Sequence, residues 1–127
     1  MGRQRWPDGP GTLTVHGDHD TEVARTIPLE IATSYRARTR GLLGRDSLEG
    51  AMLLSPASSI HTFSMRIPID VAYLDRSLRV LAIRTMPPNR LGLPRPRSRH
   101  VLEAEAGAMS EWGLRPGARV SVHLGRP

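Results

Sequence analysis

The fold is decided by the stretch Asp70-Val-Ala-Tyr-Leu-Asp75, which continues through Arg76-Ser-Leu78 into Arg79-Val-Leu-Ala-Ile-Arg-Thr85. Two runs of apolar, β-branched and aromatic residues flank a short polar connection, a pattern typical of a β-hairpin. Comparable short runs lie on both sides of this hairpin, at residues 12–16, 27–33, 51–54, 60–65, 100–104 and 119–124. Many short strands at close spacing predict a mainly β chain.

Two short helices complete the predicted fold, near residues 35–44 and 107–112. Thr33 or Ser34 can cap the first helix, and Gly44 is expected to end it. No rhythm of alternating strands and helices is visible, so the predicted architecture is a single-domain β-sandwich or barrel. We expect this one domain to span residues 1–127, with residues 1–11 disordered.

Composition limits the classes of function. A chain of 127 residues can build its own core, and the absence of cysteine excludes disulfides, thiolate metal sites and a cysteine nucleophile. No apolar run reaches membrane-spanning length and the first residues resemble no export signal, so we expect a cytoplasmic protein. All 18 basic residues are arginine. The excess positive charge lies in residues 51–100, where eight arginines face only Asp70 and Asp75.

Several motifs in order resemble one known family. They are Arg40-Gly-Leu-Leu-Gly-Arg45, Met52-Leu-Leu54, Phe63-Ser-Met-Arg66 with Ile67-Pro-Ile-Asp70, Val101-Leu-Glu103 and Gly113-Leu-Arg-Pro-Gly117. In order and spacing they resemble the bacterial and archaeal family named domain of unknown function 192, across roughly residues 36–124. The resemblance implies a jelly-roll or barrel type of mainly β fold, and it implies no activity.

A candidate ligand site lies between residues 61 and 70, where polar and apolar side chains are dense. Arginines can hold a carboxylate or phosphate, a carboxylate can orient them, and large apolar groups can form a wall. We therefore predict a cleft for a small anionic ligand or a partner peptide, formed by Arg45, His61, Phe63, Met65, Arg66, Asp70 and Glu103. This binding module needs no cofactor.

Other readings of the same residues stay open. Asp70 can have a purely structural role, either paired with Arg45 or Arg66 or as a turn cap, because a buried carboxylate requires a partner. Asp70 or Glu103 can act as acid or base of an enzyme, assisted by His61. A triad of Ser64, His61 and Asp70 has only its composition in favour, since no nucleophile elbow is present. Metal binding can be written with His16, Asp18, His19 and Asp20, or with His61, Asp70 and Glu103, but we expect no metal.

The proline-rich stretch from residue 86 to residue 99 is unsuited to a central strand or a helix interior. It carries Arg90, Arg95, Arg97 and Arg99, which can attract phosphates or a protein partner. No aromatic residue lies between Leu74 and Glu111, so this stretch has no stacking platform of its own for bases. Nucleic-acid binding is therefore a minor alternative to a solvated or protein-docking loop.

Overall fold

The computed structural model describes residues 6–16 and 24–127 of the chain. Within these ranges the strands are β1 (Gly9–Val15), β2 (Arg25–Ala32), β3 (Ala51–Leu54), β4 (Ile69–Leu74), β5 (Val80–Met86), β6 (His100–Glu105) and β7 (Val120–Leu124). The helices are α1 (Tyr35–Arg40) and α2 (Ala108–Glu111). The predicted mainly β class with two short helices is confirmed, and the predicted hairpin at residues 70–85 is the β4–β5 pair.

All the described strands belong to one open sheet with the order β5-β4-β6-β3-β2-β1-β7. The edge strands approach each other at one end, where Arg79 and Arg119 form a bridge and the Val80 N–H donates to the Ala118 carbonyl over 2.8 Å. Neighbouring strands are antiparallel, except that β2 and β3 run parallel. The chain crosses between these two strands through α1, so one β-α-β unit exists that the sequence pattern did not predict.

The sheet buries apolar residues on both faces because successive side chains along a strand alternate. On β4, Ala72 and Leu74 belong to one cluster, whereas Val71 and Tyr73 belong to the other. We call the face with Ala72 and Leu102 face A, and the face with Val71 and Val101 face B. Helix α2 contributes the buried Met109 to face A.

The crossover from β2 to β3 covers face B. Leu42 and Leu48 are its buried residues, and the Leu48 N–H donates to Glu105 Oε1 over 2.9 Å. The Ser34 side chain caps α1 by accepting from the Ala37 N–H over 3.1 Å, as one of the two predicted caps. The helix ends at Gly41 (φ 44°) instead of the predicted Gly44.

The predicted strand at residues 60–65 does not form. Only His61 makes a β-bridge, with Leu91. Thr62 is held by the loop after β5, because its N–H donates to the Arg90 carbonyl and its carbonyl accepts from the Asn89 N–H, both over 2.7 Å. Ser64 then takes a positive φ of 62° and the Met65 N–H turns back to the Thr62 carbonyl, so the expected alternation of faces is lost.

Residues 6–11, part of the segment for which the sequence predicts disorder, contact the rest of the fold. Trp6 packs edge-on against His100 with 5.3 Å between ring centroids, and Asp8 Oδ1 accepts from the Thr33 N–H over 2.6 Å. Hydrogen bonds from Ser34 and Thr33 hold the pKa of the Asp8 carboxyl well below its usual range. The prediction for residues 1–5 lies outside the described residues, as do Asp18, His19 and Asp20 of the hypothetical metal site.

No helix within residues 6–16 and 24–127 has the length and apolar character needed to cross a bilayer.

Candidate functional site

Glu103 occupies the centre of the sheet on face B. It lies on β6, directly opposite Met52 of β3 on one side and Val71 of β4 on the other. Its side chain points the same way as that of Val101, two residues earlier on the strand. The sheet therefore places a carboxyl group among the apolar side chains of face B.

The Glu103 carboxyl is buried without compensation from the part of the chain that the structure describes. The residue is 1% exposed, and its Oε1 has no hydrogen-bond partner there. Burial alone raises the pKa of Glu103 from 4.5 to about 8, because desolvation penalises the charged form. At neutral pH the side chain is thus a neutral acid, with one O–H to donate and a carbonyl oxygen to accept.

A cavity of about 120 Å³ opens beside this carboxyl. One wall comes from the end of α1 and the turn after it, with Arg38, Arg40 and Leu42. A second wall comes from the segment after β3, with His61 and Met65. Glu103 is the only acidic residue among the described residues that line this cavity.

His61 of the cavity lining forms an aromatic pair with Phe63. The rings of His61 and Phe63 stack with 4.9 Å between centroids and 22° between planes, and the Phe63 N–H donates to His61 Nδ1 over 3.3 Å. Phe63, the one phenylalanine in the sequence, is 45% exposed, although phenylalanine is usually buried in folded proteins. The bridge between His61 and Leu91 brings the arginine-bearing loop next to this pair.

Arg45 and Arg66 are predicted to hold a ligand, but in the structure each forms an ion pair with an acid of the same chain, in or next to the crossover. Arg45 makes two parallel hydrogen bonds to Glu30 on β2, at 2.9 and 3.0 Å. Arg66 pairs with Asp46 over 3.1 Å at an exposed position. Neither arginine pairs with Asp70, and neither lines the Glu103 cavity.

Asp70 lies on face A, and so the predicted cleft is divided between two faces of the sheet. Asp70 pairs with Ala104, which follows Glu103 on β6. Adjacent residues on a strand point to opposite faces of the sheet, so the side chains of Asp70 and Glu103 lie on different faces. Oδ2 of Asp70 accepts from the N–H groups of Gly107 and Met109 over 2.9 and 3.2 Å, and its Oδ1 accepts from Thr85 Oγ1 over 2.7 Å. The carboxylate therefore holds the start of α2 against β5, and the triad of Ser64, His61 and Asp70 is not assembled.

His100 is a second buried titratable group, also on face A. Its Nδ1 lies 2.7 Å from Ser55 Oγ, and burial is the main cause that lowers its pKa. It lies three residues from Glu103 on the same strand and hence on the other face. Across residues 6–16 and 24–127, no three His, Cys, Asp or Glu side chains are grouped so that they can hold a metal ion.

The arginines of the loop after β5 have different surroundings. The Arg95 guanidinium lies over the ring of Tyr73, 4.7 Å from its centroid, and its buried Nε lacks a partner among the described residues. Arg99 donates to the Pro96 carbonyl over 3.0 Å, and Arg90 reaches the carbonyl of its own neighbour Asn89. Arg97 is exposed.

Residue patterns missed the wall formed by Arg38, Arg40 and Leu42. Their place at the cavity follows from the parallel crossover, which no short-range pattern signals. The sequence does hold a clue to Glu103, since an acid inside the otherwise apolar run Val101–Ala104 breaks the rule for a strand buried on both faces.

Comparisons with known proteins agree with the fold and add no activity. The family model DUF192, described as "Uncharacterized ACR", matches residues 15–122. UPF0127 protein PH1112 of Pyrococcus horikoshii is 32% identical over 84 residues, which cover 62% of this chain and 73% of that protein.

Two crystal structures resemble most of the chain. A protein of unknown function from Novosphingobium aromaticivorans DSM 12444 has a TM-score of 0.74 at 25% identity, covering 87% of this chain and 83% of that chain. A protein from Sinorhizobium meliloti 1021 has a TM-score of 0.76 at 17% identity, covering 94% and 98%, and this likeness shows the fold alone.

Proposed function

Because the chain belongs to the DUF192 family, whose description names no activity, we propose its function from the Glu103 cavity: it is a module that binds a small anionic ligand through the neutral carboxyl group of Glu103. The unpartnered Oε1 of Glu103 beside an open cavity carries this proposal. Buried polar groups in folded proteins nearly always have partners, so a polar group that enters this cavity could supply the partner that the described residues do not give Glu103.

The charge of the ligand follows from the groups that face it. A protonated carboxyl can donate its O–H to an anionic oxygen, which makes a short, charge-assisted hydrogen bond. Arg38 and Arg40 bring positive charge to the same cavity, and the net charge of +6 attracts anions to the molecule. An ionised Glu103 would instead repel an anion, so binding requires the protonated form.

The size of the ligand group follows from the cavity volume. A water molecule occupies about 30 Å³ of the liquid. The cavity of about 120 Å³ therefore has room for at least a small group such as a carboxylate, and it opens to the surface. Leu42, Met65 and Val101 supply the apolar wall.

Acetate and propionate are suitable probes for this proposal, with amide chemical shifts as the readout. We expect saturable shifts at Leu42 and Val101 with a dissociation constant in the millimolar range, since each atom of a small ligand contributes little. Binding should weaken above the Glu103 pKa of about 8. Glu103→Gln should bind without this pH dependence, and Glu103→Leu should not bind.

Glu111→Gln is the matched control, because it changes an exposed acid on α2. The proposal fails if acetate leaves Leu42 and Val101 unshifted, or if Glu103→Leu binds as well as the unmodified protein.

An acid–base enzyme is the second candidate, favoured by the presence of Glu103 and His61 in one cavity. A group with a pKa near neutrality transfers protons efficiently in both directions. Asp70 takes no part in this alternative, because it lies across the sheet. If a turned-over compound is found, loss of turnover in Glu103→Gln with retained binding will favour the enzyme over the binding module.

A further inference from the structure

Three segments that line the Glu103 cavity or contact its lining contain no acidic residue. They are residues 31–45 with α1, residues 50–69 with the second wall, and residues 76–102 with the loop after β5. All three carry arginine. Arg66, the one arginine of residues 50–69, is paired with the exposed Asp46, so the unbalanced positive charge comes from α1 and from the loop after β5, which the fold brings to the second wall.

Several arginine side chains in these segments have no charged partner within the described residues. Arg40 and Arg97 are exposed, and their side chains make no hydrogen bond or ion pair with another described residue. Arg90 reaches only the carbonyl of its own neighbour, at 3.5 Å. Guanidinium groups in this state are open to carboxylates from outside the chain.

Large apolar side chains are exposed beside these arginines. Leu91 is 72% exposed, Leu93 76% and Phe63 45%. They are connected, because Phe63 stacks on His61 and His61 is bridged to Leu91. The loop that presents the leucines is held in place, since the Gly92 N–H donates to the Ile60 carbonyl and the Arg95 N–H donates to the Ser58 carbonyl, both over 2.8 Å.

We propose that this mouth surface, formed by Arg40, His61, Phe63, Arg90, Leu91 and Leu93, docks an acidic protein segment that carries bulky apolar side chains. Charge complementarity selects the acidic partner, and it governs the rate and the specificity of encounter. The exposed phenylalanine and leucines supply the apolar contact that distinguishes a docking site from a solvated basic loop.

A single-stranded nucleic acid fits this surface less well. Phosphates can use the arginines, and one base can stack on Phe63, but further bases find no aromatic platform along the loop. Leu91 and Leu93 would stay exposed in such a complex. The leucines therefore separate the two partners experimentally.

The docking proposal does not rest on the cavity ligand, although a bound segment would cover the cavity mouth. Docking involves the rim and leaves the Glu103 carboxyl untouched. Glu103→Leu should therefore abolish acetate binding and leave docking of the segment unchanged, so the two proposals can fail separately.

Selection from a random peptide library displayed on phage, with the intact protein as bait, tests the proposal. We expect enriched peptides that combine Asp or Glu with Leu, Ile, Phe or Trp. A labelled enriched peptide should lose affinity about tenfold or more in the Leu91→Ser, Leu93→Ser double variant and in the Arg40→Gln, Arg90→Gln double variant, as expected for anchoring residues.

Matched controls lie elsewhere on the molecule. Leu124→Ser changes a leucine that is 60% exposed on β7, and Arg25→Gln changes an exposed arginine at the opposite end of β2 from α1. Neither should alter peptide affinity, and circular dichroism verifies that each variant is folded.

The proposal is overturned if no peptide is enriched, if enriched peptides lack acidic residues, or if the leucine variant binds them unchanged. Tight binding of labelled oligothymidylate that depends on Arg40 and Arg90 but not on the leucines would replace the protein segment with a nucleic acid as partner.

Discussion

Glu103 makes the stability of the protein depend on pH in a direction opposite to that of acids that form ion pairs in the folded state. The unfolded chain ionises this carboxyl near 4.5, whereas the folded protein keeps its proton up to a pKa of about 8. The stabilising contribution of the protonated group is therefore fully present below pH 4.5 and is lost as the pH rises to about 8.

Replacing Glu103 by Gln should remove this dependence. The free energy of unfolding of the variant, minus that of the unmodified protein, should rise between these two pKa values by up to about 1.4 kcal/mol per pH unit. Urea unfolding at several pH values measures the difference, and Glu111→Gln should show no such slope. A flat difference for Glu103→Gln would mean that the carboxyl has found a partner or solvent.

Asp70 should prove to be a structural residue of the folded state. Asp70→Asn removes the negative charge but keeps one acceptor oxygen for the N–H groups of Gly107 and Met109, so the hydrogen bonds weaken and we expect a loss of about 1–2 kcal/mol in unfolding free energy. Thr85→Val removes one hydroxyl donor and should cost about 1 kcal/mol. Acetate shifts at Leu42 should be unchanged in both variants. Unaltered stability of Asp70→Asn would contradict this role.

At the scale of elements, the parallel pair β2–β3 depends on a close approach at its start. Gly50 has a φ of 72°, and a Cβ placed there would collide with the backbone carbonyl of Pro28. Gly50→Ala should therefore cost about 3 kcal/mol, from backbone strain and overpacking together. Gly44→Ala is the control, because Gly44 has a φ of 73° and open space around its Cβ position.

The Gly44 variant should lose only the backbone preference, about 1 kcal/mol. Chemical denaturation measures both variants. Equal losses at the two positions would show that the contact with Pro28 relaxes and that β3 can shift away from β2.

Elements that follow local patterns could be predicted from the sequence, and those fixed by distant contacts could not. The β4–β5 hairpin was predictable because apolar runs and a polar turn are adjacent in the chain. Residues 60–65 also have a strand-like pattern, but the bonds of Thr62 to residues 87–90 override it. The sequence predicts the end of α1 at Gly44, whereas the helix ends at Gly41. A local pattern cannot choose between the two, since either glycine can end a helix.

The same limit explains the site. Glu103, His61 and Met65 were named from the sequence and share a cavity, whereas Asp70 was grouped with them because it is close to Arg66 in the chain. Which face a strand residue takes depends on the register of its neighbours. Register across β4, β6 and β3 is a property of long-range pairing, and that pairing separates the two carboxyl groups.

At the scale of the whole molecule, two apolar clusters share one sheet and should unfold together. Met109 reports on face A, while Met52 and Met65 report on face B. In urea, the ¹³C-methyl signals of these methionines should lose their native positions at the same midpoint, as in a two-state transition. Leu42→Ala should lower the unfolding free energy by about 3 kcal/mol and shift the midpoints of all these signals by the same amount.

Leu13→Ala, a change on face A, is the companion variant and should act equally on both sets of signals. Persistence of the Met109 signal after Met52 has unfolded would divide the chain into two cooperative units and contradict the predicted single domain.

The proton held by Glu103 at neutral pH has a consequence for the heat of ligand binding. An anion placed next to this group raises its proton affinity further, so near pH 8 the complex takes up protons from the buffer, whereas a cationic ligand would drive protons off. Calorimetric titrations in two buffers with different ionisation enthalpies therefore report the sign of the ligand's charge before the ligand is identified. In Glu103→Gln the two buffers should give the same heat.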